Sequence, residues 1–126
     1  MTKILIAEDE RDIRELIGHM LRFAGFEVVL TVDGVEAVEK TMQERPDLII
    51  LDVRMPRMTG YEACRNLKEN QATSAIPVVF LSAKGQEAEI EQGLALGAVE
   101  YIVKPFAPDE LTNRVKNILR RLESSE

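Results

Sequence analysis

The chain has one cysteine, no tryptophan, and only 5% aromatic residues across 126 positions. Cys64 has no second thiol to pair with, so a disulfide-stapled secreted scaffold is excluded and a reducing, cytoplasmic setting is expected. No apolar run approaches the ~20 residues that cross a bilayer, so no membrane role is expected. Met1-Thr2-Lys3 leads straight into Ile4-Leu5-Ile6-Ala7, too short for the apolar core of a signal peptide. Positive charge is also in deficit: 16 Lys and Arg stand against 22 Asp and Glu, a net charge of −6. A domain of that sign has no global field for direct binding of nucleic acid or an anionic membrane. No internal repeat, low-complexity tract or Pro/Gly/Ser-rich linker divides the chain. The expectation is a single domain over residues 1–126 with its core at about 3–122.

What is present is 45% hydrophobic residues. A chain of this size buries roughly two-thirds of its unfolded surface, enough for one core without staples. Short apolar runs recur at 4–7, 27–30, 48–51, 76–81 and 99–103, each followed by a longer amphipathic stretch. Most of the runs are uninterrupted, the pattern of strands covered on both faces. Ile13, Leu16, Ile17, Met20, Leu21 and Ala24 follow helical spacing closely, and Leu111, Val115, Ile118, Leu119 and Leu122 repeat it near the end. Val35, Val38 and Met42 mark a moderate stripe on the second helix; the third and fourth stripes are weak.

Boundary chemistry agrees. Gly25 and Gly97 stand where left-handed residues close the first and fourth helices. Asp33 with Glu36, and Thr59 with Glu62, have capping-box spacing. Pro108-Asp109-Glu110 suits the first turn of the last helix. Five strand-then-helix units predict an α/β fold, a doubly wound parallel sheet with right-handed crossovers. In such sheets ligands bind outside the carboxyl ends of the strands.

Those ends are chemically specific. The first strand runs into Glu8-Asp9-Glu10, the third into Asp52, the fourth into Ser82 and the fifth into Lys104-Pro105. Two like charges about 5 Å apart repel by roughly 3 kcal/mol at an effective dielectric near 20. Three carboxylates on one rim therefore need a compensating cation beyond the lysine. Oxygen donors without His or Cys nearby favour Mg²⁺ over zinc or copper. Mg²⁺ commonly completes its octahedron with phosphate oxygens. No Gly-x-Gly-x-x-Gly follows the first strand and no P-loop is present, which excludes a dinucleotide binder and an ordinary nucleotide hydrolase. A carboxylate can itself be the nucleophile towards phosphorus. Asp52, central on the rim, is the candidate phosphoacceptor.

With these residues in view, the chain resembles the receiver domain of two-component response regulators. The resemblance rests on Ile4 to Asp9, Leu48 to Gly60, Val78 to Ala83 and Gly97 to Phe106, four motifs in the right order at strand ends. It implies a flavodoxin-like sheet of five strands in the order 2-1-3-4-5. It implies Asp52 as phosphoacceptor, and Glu8, Asp9, Asp52 and the backbone carbonyl of Arg54 around Mg²⁺, with Mn²⁺ as a substitute. Lys104 would pair with Asp52 at rest and with the phosphoryl group afterwards. Ser82 would turn inward to hydrogen-bond it, and Tyr101 would be the aromatic switch. The bond before Pro105 would be cis. The implied phosphodonor is a sensor histidine kinase or histidine phosphotransfer protein. The implied readout surface is the fourth helix, fifth strand and fifth helix, docking an effector protein or domain. Such a chain is a signalling phosphoacceptor that assists its own phosphorylation and dephosphorylation, not an enzyme.

Departures from the usual pattern are mild: Glu8-Asp9 in place of two aspartates, Ser82 in place of threonine, and Thr59 in place of aspartate. The competing class is a metal-dependent phosphohydrolase with an aspartyl-phosphate intermediate. It wants an acid two residues after the nucleophile, where this chain has Arg54. Arg54 and Lys84 each stand two residues beyond a rim residue, and as long cations they are expected to slow self-dephosphorylation by restricting the attacking water. Cys64 lies at helical spacing with Tyr61 and Leu67 and reads as a buried small apolar residue. His19 stands on the polar side of the first helix without an acid–base partner. Met55 and Met58 read as packing residues.

Overall fold

A computed structural model describes residues 1–83 and 85–124 of the chain. Strands β1 (Lys3–Ala7), β2 (Glu27–Thr31), β3 (Leu48–Asp52), β4 (Val78–Ser82) and β5 (Glu100–Val103) alternate with five helices. These are α1 (Arg11–Phe23), α2 (Gly34–Glu44), α3 (Gly60–Glu69), α4 (Glu87–Ala95) and α5 (Pro108–Ser124). The strands form one parallel sheet in the order β2-β1-β3-β4-β5. The expected fold class and strand order are both observed. Winding reverses between β1 and β3, so the carboxyl ends of those two strands flank the crevice where ligands bind in such sheets. No helix among the described residues is long and apolar enough to cross a membrane.

Alternating strand residues supply two cores. Ile4, Ile6, Leu48, Ile50, Val79, Leu81 and Ile102 pack against Ile17, Leu21, Leu111, Val115 and Ile118 of α1 and α5. Leu5, Ala7, Ile49, Leu51, Val78, Phe80 and Tyr101 pack against Ala37, Ala63, Cys64 and Leu67 of α2 and α3. Burial on both sides explains why β1, β3 and β4 read as unbroken apolar runs. At the edge, β2 leaves Glu27 exposed and Val28, Val29 and Leu30 half-buried.

The helix ends follow their chemistry. Gly25 (φ +100°) and Gly97 (φ +104°) adopt the left-handed conformation. The Phe26 N–H donates to the Leu21 carbonyl at 3.1 Å and closes α1. Thr59 and Glu62 form a complete capping box. At α2 only half of one forms: Asp33 accepts from Glu36 N at 2.8 Å, but the Glu36 carboxylate takes Val32 N instead of the Asp33 amide.

Three expectations are corrected. Val78, not Ile76, begins β4; Pro77 contributes only its carbonyl, accepting from Ile49 N at 2.9 Å. The face α2 buries is Gly34, Ala37 and Thr41, with Val38 half-buried and Met42 42% exposed. Gly34 N donates to the Met58 carbonyl at 3.1 Å, and a Cβ on Gly34 would collide with that oxygen. Contact this close admits only small residues, and it outweighs the larger stripe. On α1 Leu16 is 53% exposed while Gly18 is buried, and a Cβ on Gly18 would stand 3.0 Å from Leu30 Cδ2.

Candidate functional site

Glu8 directly follows β1, and its N–H donates to the Thr31 carbonyl at 3.1 Å, carrying the ladder one residue further. That bond holds its side chain inside the sheet rim, fully buried. Its backbone is also held from α1: Arg14 Nη1 donates to the carbonyls of Glu8 at 2.9 Å and Asp9 at 3.3 Å. Glu8 Oε2 accepts from Glu10 N at 3.2 Å. Asp9 beside it is exposed.

Asp52 closes β3, in register with Leu81 and 6% exposed. Helix α3 starts almost on top of it. Gly60 N donates to the Val53 carbonyl at 2.9 Å, and a Cβ at Gly60 would collide with the Asp52 carbonyl oxygen. Lys104 follows β5, its N–H donating to the Ser82 carbonyl at 2.7 Å. The Lys104-Pro105 bond is cis. Lys104 Nζ lies 2.7 Å from Glu8 Oε1 and 2.9 Å from Asp52 Oδ1, so it bridges two strands.

The structure therefore brings together Glu8, Asp9, Asp52 and Lys104. One carboxylate oxygen from each acid lies within 4.8 Å of the others. Burial pushes the Glu8 and Asp52 carboxyls above their ordinary range, against the opposing hydrogen bond that each takes from Lys104. The Asp52 charge raises Glu8 further, and Asp9 raises Asp52. Burial acts to lower Lys104, but its hydrogen bonds to Glu8 and Asp52 prevail and its ammonium is held above the ordinary lysine value. One ammonium among three carboxylates leaves two negative charges uncompensated. The donors are all hard oxygens, and the charge deficit is that of a divalent ion, so the residues fit Mg²⁺.

Ser82 is buried at the end of β4, between the strands that carry Asp52 and Lys104, and is in register with Val103. Tyr101 does not join this cluster. It is buried in the core on the α2–α3 side, beside Phe80 and with its hydroxyl 3.3 Å from that of Tyr61. Arg54 is exposed two residues after Asp52, and Lys84 lies outside the described residues. Cys64 is buried as expected, its thiol reaching the Leu96 carbonyl at 3.6 Å and pushed above the ordinary thiol value by burial. Met55 is buried and His19 exposed. A concavity of about 650 Å³ lined by Thr2, Asp47, Pro77 and Leu119 contains none of the rim acids.

Sequence reasoning missed three contributors. Arg14 reaches back to two carbonyls, and no spacing rule signals a cation aimed at backbone. Gly60 was legible as a motif glycine, but its close approach to Asp52 arises only from the packing of α3. Tyr61 was read as part of a helical stripe, with no sign that its hydroxyl meets Tyr101.

The description of a response regulator receiver domain matches residues 4–116. The alkaline phosphatase synthesis transcriptional regulatory protein PhoP of Bacillus subtilis is 43% identical over 96% of this chain and 50% of its own length. The phosphate regulon transcriptional regulatory protein PhoB of Pseudomonas aeruginosa is 44% identical over 94% of this chain and 52% of its own. The chain thus spans about half the length of these curated relatives. Among solved structures, chemotaxis response regulator CheY4 of Vibrio cholerae superposes with a TM-score of 0.89 at 35% identity, covering 94% of this chain and 98% of that one. The receiver domain of sensor histidine kinase PA1611 from Pseudomonas aeruginosa, with a magnesium ion coordinated in its active-site cleft, gives 0.84 at 32% identity over 92% and 95%. Fold, strand order, acidic rim and these likenesses agree: the chain belongs to the response regulator receiver domain family.

Proposed function

We propose that Asp52 accepts a phosphoryl group from a phosphohistidine on a sensor histidine kinase or histidine phosphotransfer protein. The observation that carries this is the juxtaposition of Asp52 with Lys104 Nζ, at 2.9 Å, inside a cluster of three acids within 4.8 Å. The Glu8, Asp9 and Asp52 carboxylates, with the Arg54 carbonyl, would hold Mg²⁺, or Mn²⁺ in its place. When bound, the ion supplies two positive charges next to the phosphoryl oxygens.

In the transfer, an Asp52 oxygen forms the bond to phosphorus as the bond from phosphorus to the histidine nitrogen breaks, and that nitrogen keeps the electron pair. The protein's part is positioning and charge stabilisation. The Glu8 contact fixes Lys104 beside the attacking oxygen, so the ammonium can swing from Asp52 to a phosphoryl oxygen without leaving its anchor. Transfer adds up to two negative charges and new acceptors. Lys104 and Ser82 bind these better in one arrangement of the loop after β4, and the modification shifts that equilibrium. The change reaches the α4–β5–α5 surface through Tyr101 and there alters docking of an effector protein or domain.

Intact-mass measurement with acetyl phosphate and Mg²⁺ tests the proposal. The parent is expected to gain one phosphoryl group and Asp52→Asn none. An unlabelled parent would overturn the proposal, and multiple-turnover release of phosphate from small esters would favour the phosphohydrolase.

A further inference from the structure

Three rings meet beneath α4. Phe80 of β4 stands between Tyr61 of α3, edge-on at 5.0 Å and 87°, and Tyr101 of β5, tilted at 6.1 Å and 57°. The Tyr61 and Tyr101 hydroxyls are 3.3 Å apart, and the Tyr61 hydroxyl donates to the Glu89 carbonyl at 3.2 Å. A carbonyl only accepts, and each tyrosine has one proton to give. The Tyr61 proton therefore goes to Glu89, which makes Tyr101 the donor in the contact between the two hydroxyls. Glu89 lies in the first turn of α4. One turn later Gly93 covers the same rings: a Cβ there would stand 2.9 Å from Tyr101 Cδ2 and 3.0 Å from Phe80 Cδ2. Helix α4 thus rests on Tyr101 twice, on its ring at Gly93 and on its hydroxyl by way of Tyr61. Gly93 is its only fully buried residue, and Ile90 packs half-buried against the same core.

Tyr101 is 6% exposed. We propose that Tyr61 is a positioning residue that holds Tyr101 in this buried rotamer and joins it to the first turn of α4. Movement of the Tyr101 ring and displacement of α4 are then a single event. The consequence at Asp52 rests on the phosphoacceptor function proposed above; the latch itself belongs to the unmodified chain. If the phosphorylated state favours buried Tyr101, linkage requires that removing the latch weaken binding of a phosphoryl mimic in proportion to the fall in the fraction of chains with Tyr101 buried. One hydrogen bond corresponds to about a two- to tenfold change in the buried-to-exposed ratio, which is the upper bound on that effect.

Tyr61→Phe keeps the ring against Phe80 and removes only the hydroxyl. The chain has two tyrosines, so 3-fluorotyrosine labelling gives two ¹⁹F signals in the parent and that of Tyr101 alone in the variant. The Tyr101 signal is expected to move towards the solvent-exposed position, and the affinity for beryllofluoride with Mg²⁺ to fall by the same drop in buried fraction, at most about tenfold. Gly93→Ala, which crowds the ring from α4 and leaves Tyr61 intact, is expected to move the same signal and covers the case in which Tyr61→Phe folds poorly. A folded Tyr61→Phe whose Tyr101 signal stays in place, with only the unfolding midpoint lowered, would show a purely structural tyrosine and overturn the latch. A parent that takes no phosphoryl group at Asp52 would instead defeat the phosphoacceptor function, and the ¹⁹F comparison would still decide the latch.

Discussion

On the α1–α5 side of the sheet the fully buried core is aliphatic, with Ile4, Ile6, Ile50, Val79, Leu81 and Ile102 packed on Ile17, Leu21, Val115 and Ile118 and with Phe26 and Phe106 half-buried against it. On the other side Leu5, Ile49, Leu51, Leu67 and Val78 share the core with the small residues Ala37, Ala63, Cys64 and Ala98 and with the rings of Phe80 and Tyr101. The first side is close-packed branched hydrocarbon, which resists rearrangement because any void forfeits contacts. The second combines small residues, polar ring hydroxyls and a helix, α4, with a single fully buried residue. Regions that move are drawn from the weakly buried end of a structure's range. Tyr101 on β5 packs in the half beneath α4, whereas Lys104, directly after β5, reaches the acidic rim.

That contrast has measurable consequences. Ile50→Ala, at a position with no exposed surface, is expected to lower unfolding free energy by about 2–5 kcal/mol in urea titration. Leu94→Ala on α4, where the side chain is 44% exposed, should cost no more than about 0.5 kcal/mol. Equal costs would show that α4 is as firmly held as the strands.

The rim gives a smaller, pH-dependent effect. Glu8 and Asp52 have folded-state pKa values above their ordinary ones. Their contribution is fully present below the ordinary carboxylate values and is lost as pH rises through the raised folded values. Lys104, also raised, contributes up to the ordinary lysine value and loses that contribution only as pH rises beyond it. Without metal, the rim's contribution to stability is therefore expected to fall as pH rises from the acid side through the carboxylate range, against the opposite trend of Asp33 and Glu62, whose carboxyls are held below their ordinary values by hydrogen bonds from Arg57 and from the Thr59 amide. Asp52→Asn should flatten that fall and be more stable than the parent near pH 7, and Mg²⁺ should stabilise the parent more than the variant. Urea unfolding across a pH series, with EDTA or Mg²⁺, measures all three.

The smallest effect is local to the half beneath α4. Thr59→Ala removes one arm of the α3 capping box and should cost about 1 kcal/mol. Because α3 carries Tyr61, hydrogen exchange in the first turns of both α3 and α4 is expected to quicken.

The rim was legible residue by residue because each of its members follows an apolar run. A strand buried on both faces stops where the chain turns polar, so Glu8, Asp52 and Lys104 announce themselves as strand ends, and sheet topology brings those ends together. Less legible was which groups would pair: Lys104 lies slightly nearer Glu8 than the Asp52 it was expected to meet. The α2 face was misread because hydrophobic periodicity weighs side-chain size, whereas the Gly34–Met58 contact selects for smallness.

What the linear chain determined by itself is the order of elements, their caps and the chemical character of the rim, all consequences of backbone geometry and side-chain polarity acting over a few residues. Only the folded structure decided that Arg14 would brace the acidic loop, that Gly60 would sit against Asp52, and that Tyr61 would meet Tyr101 across 40 residues. Those contacts depend on how closely helices settle on the sheet, a balance of many small packing energies that no local pattern records.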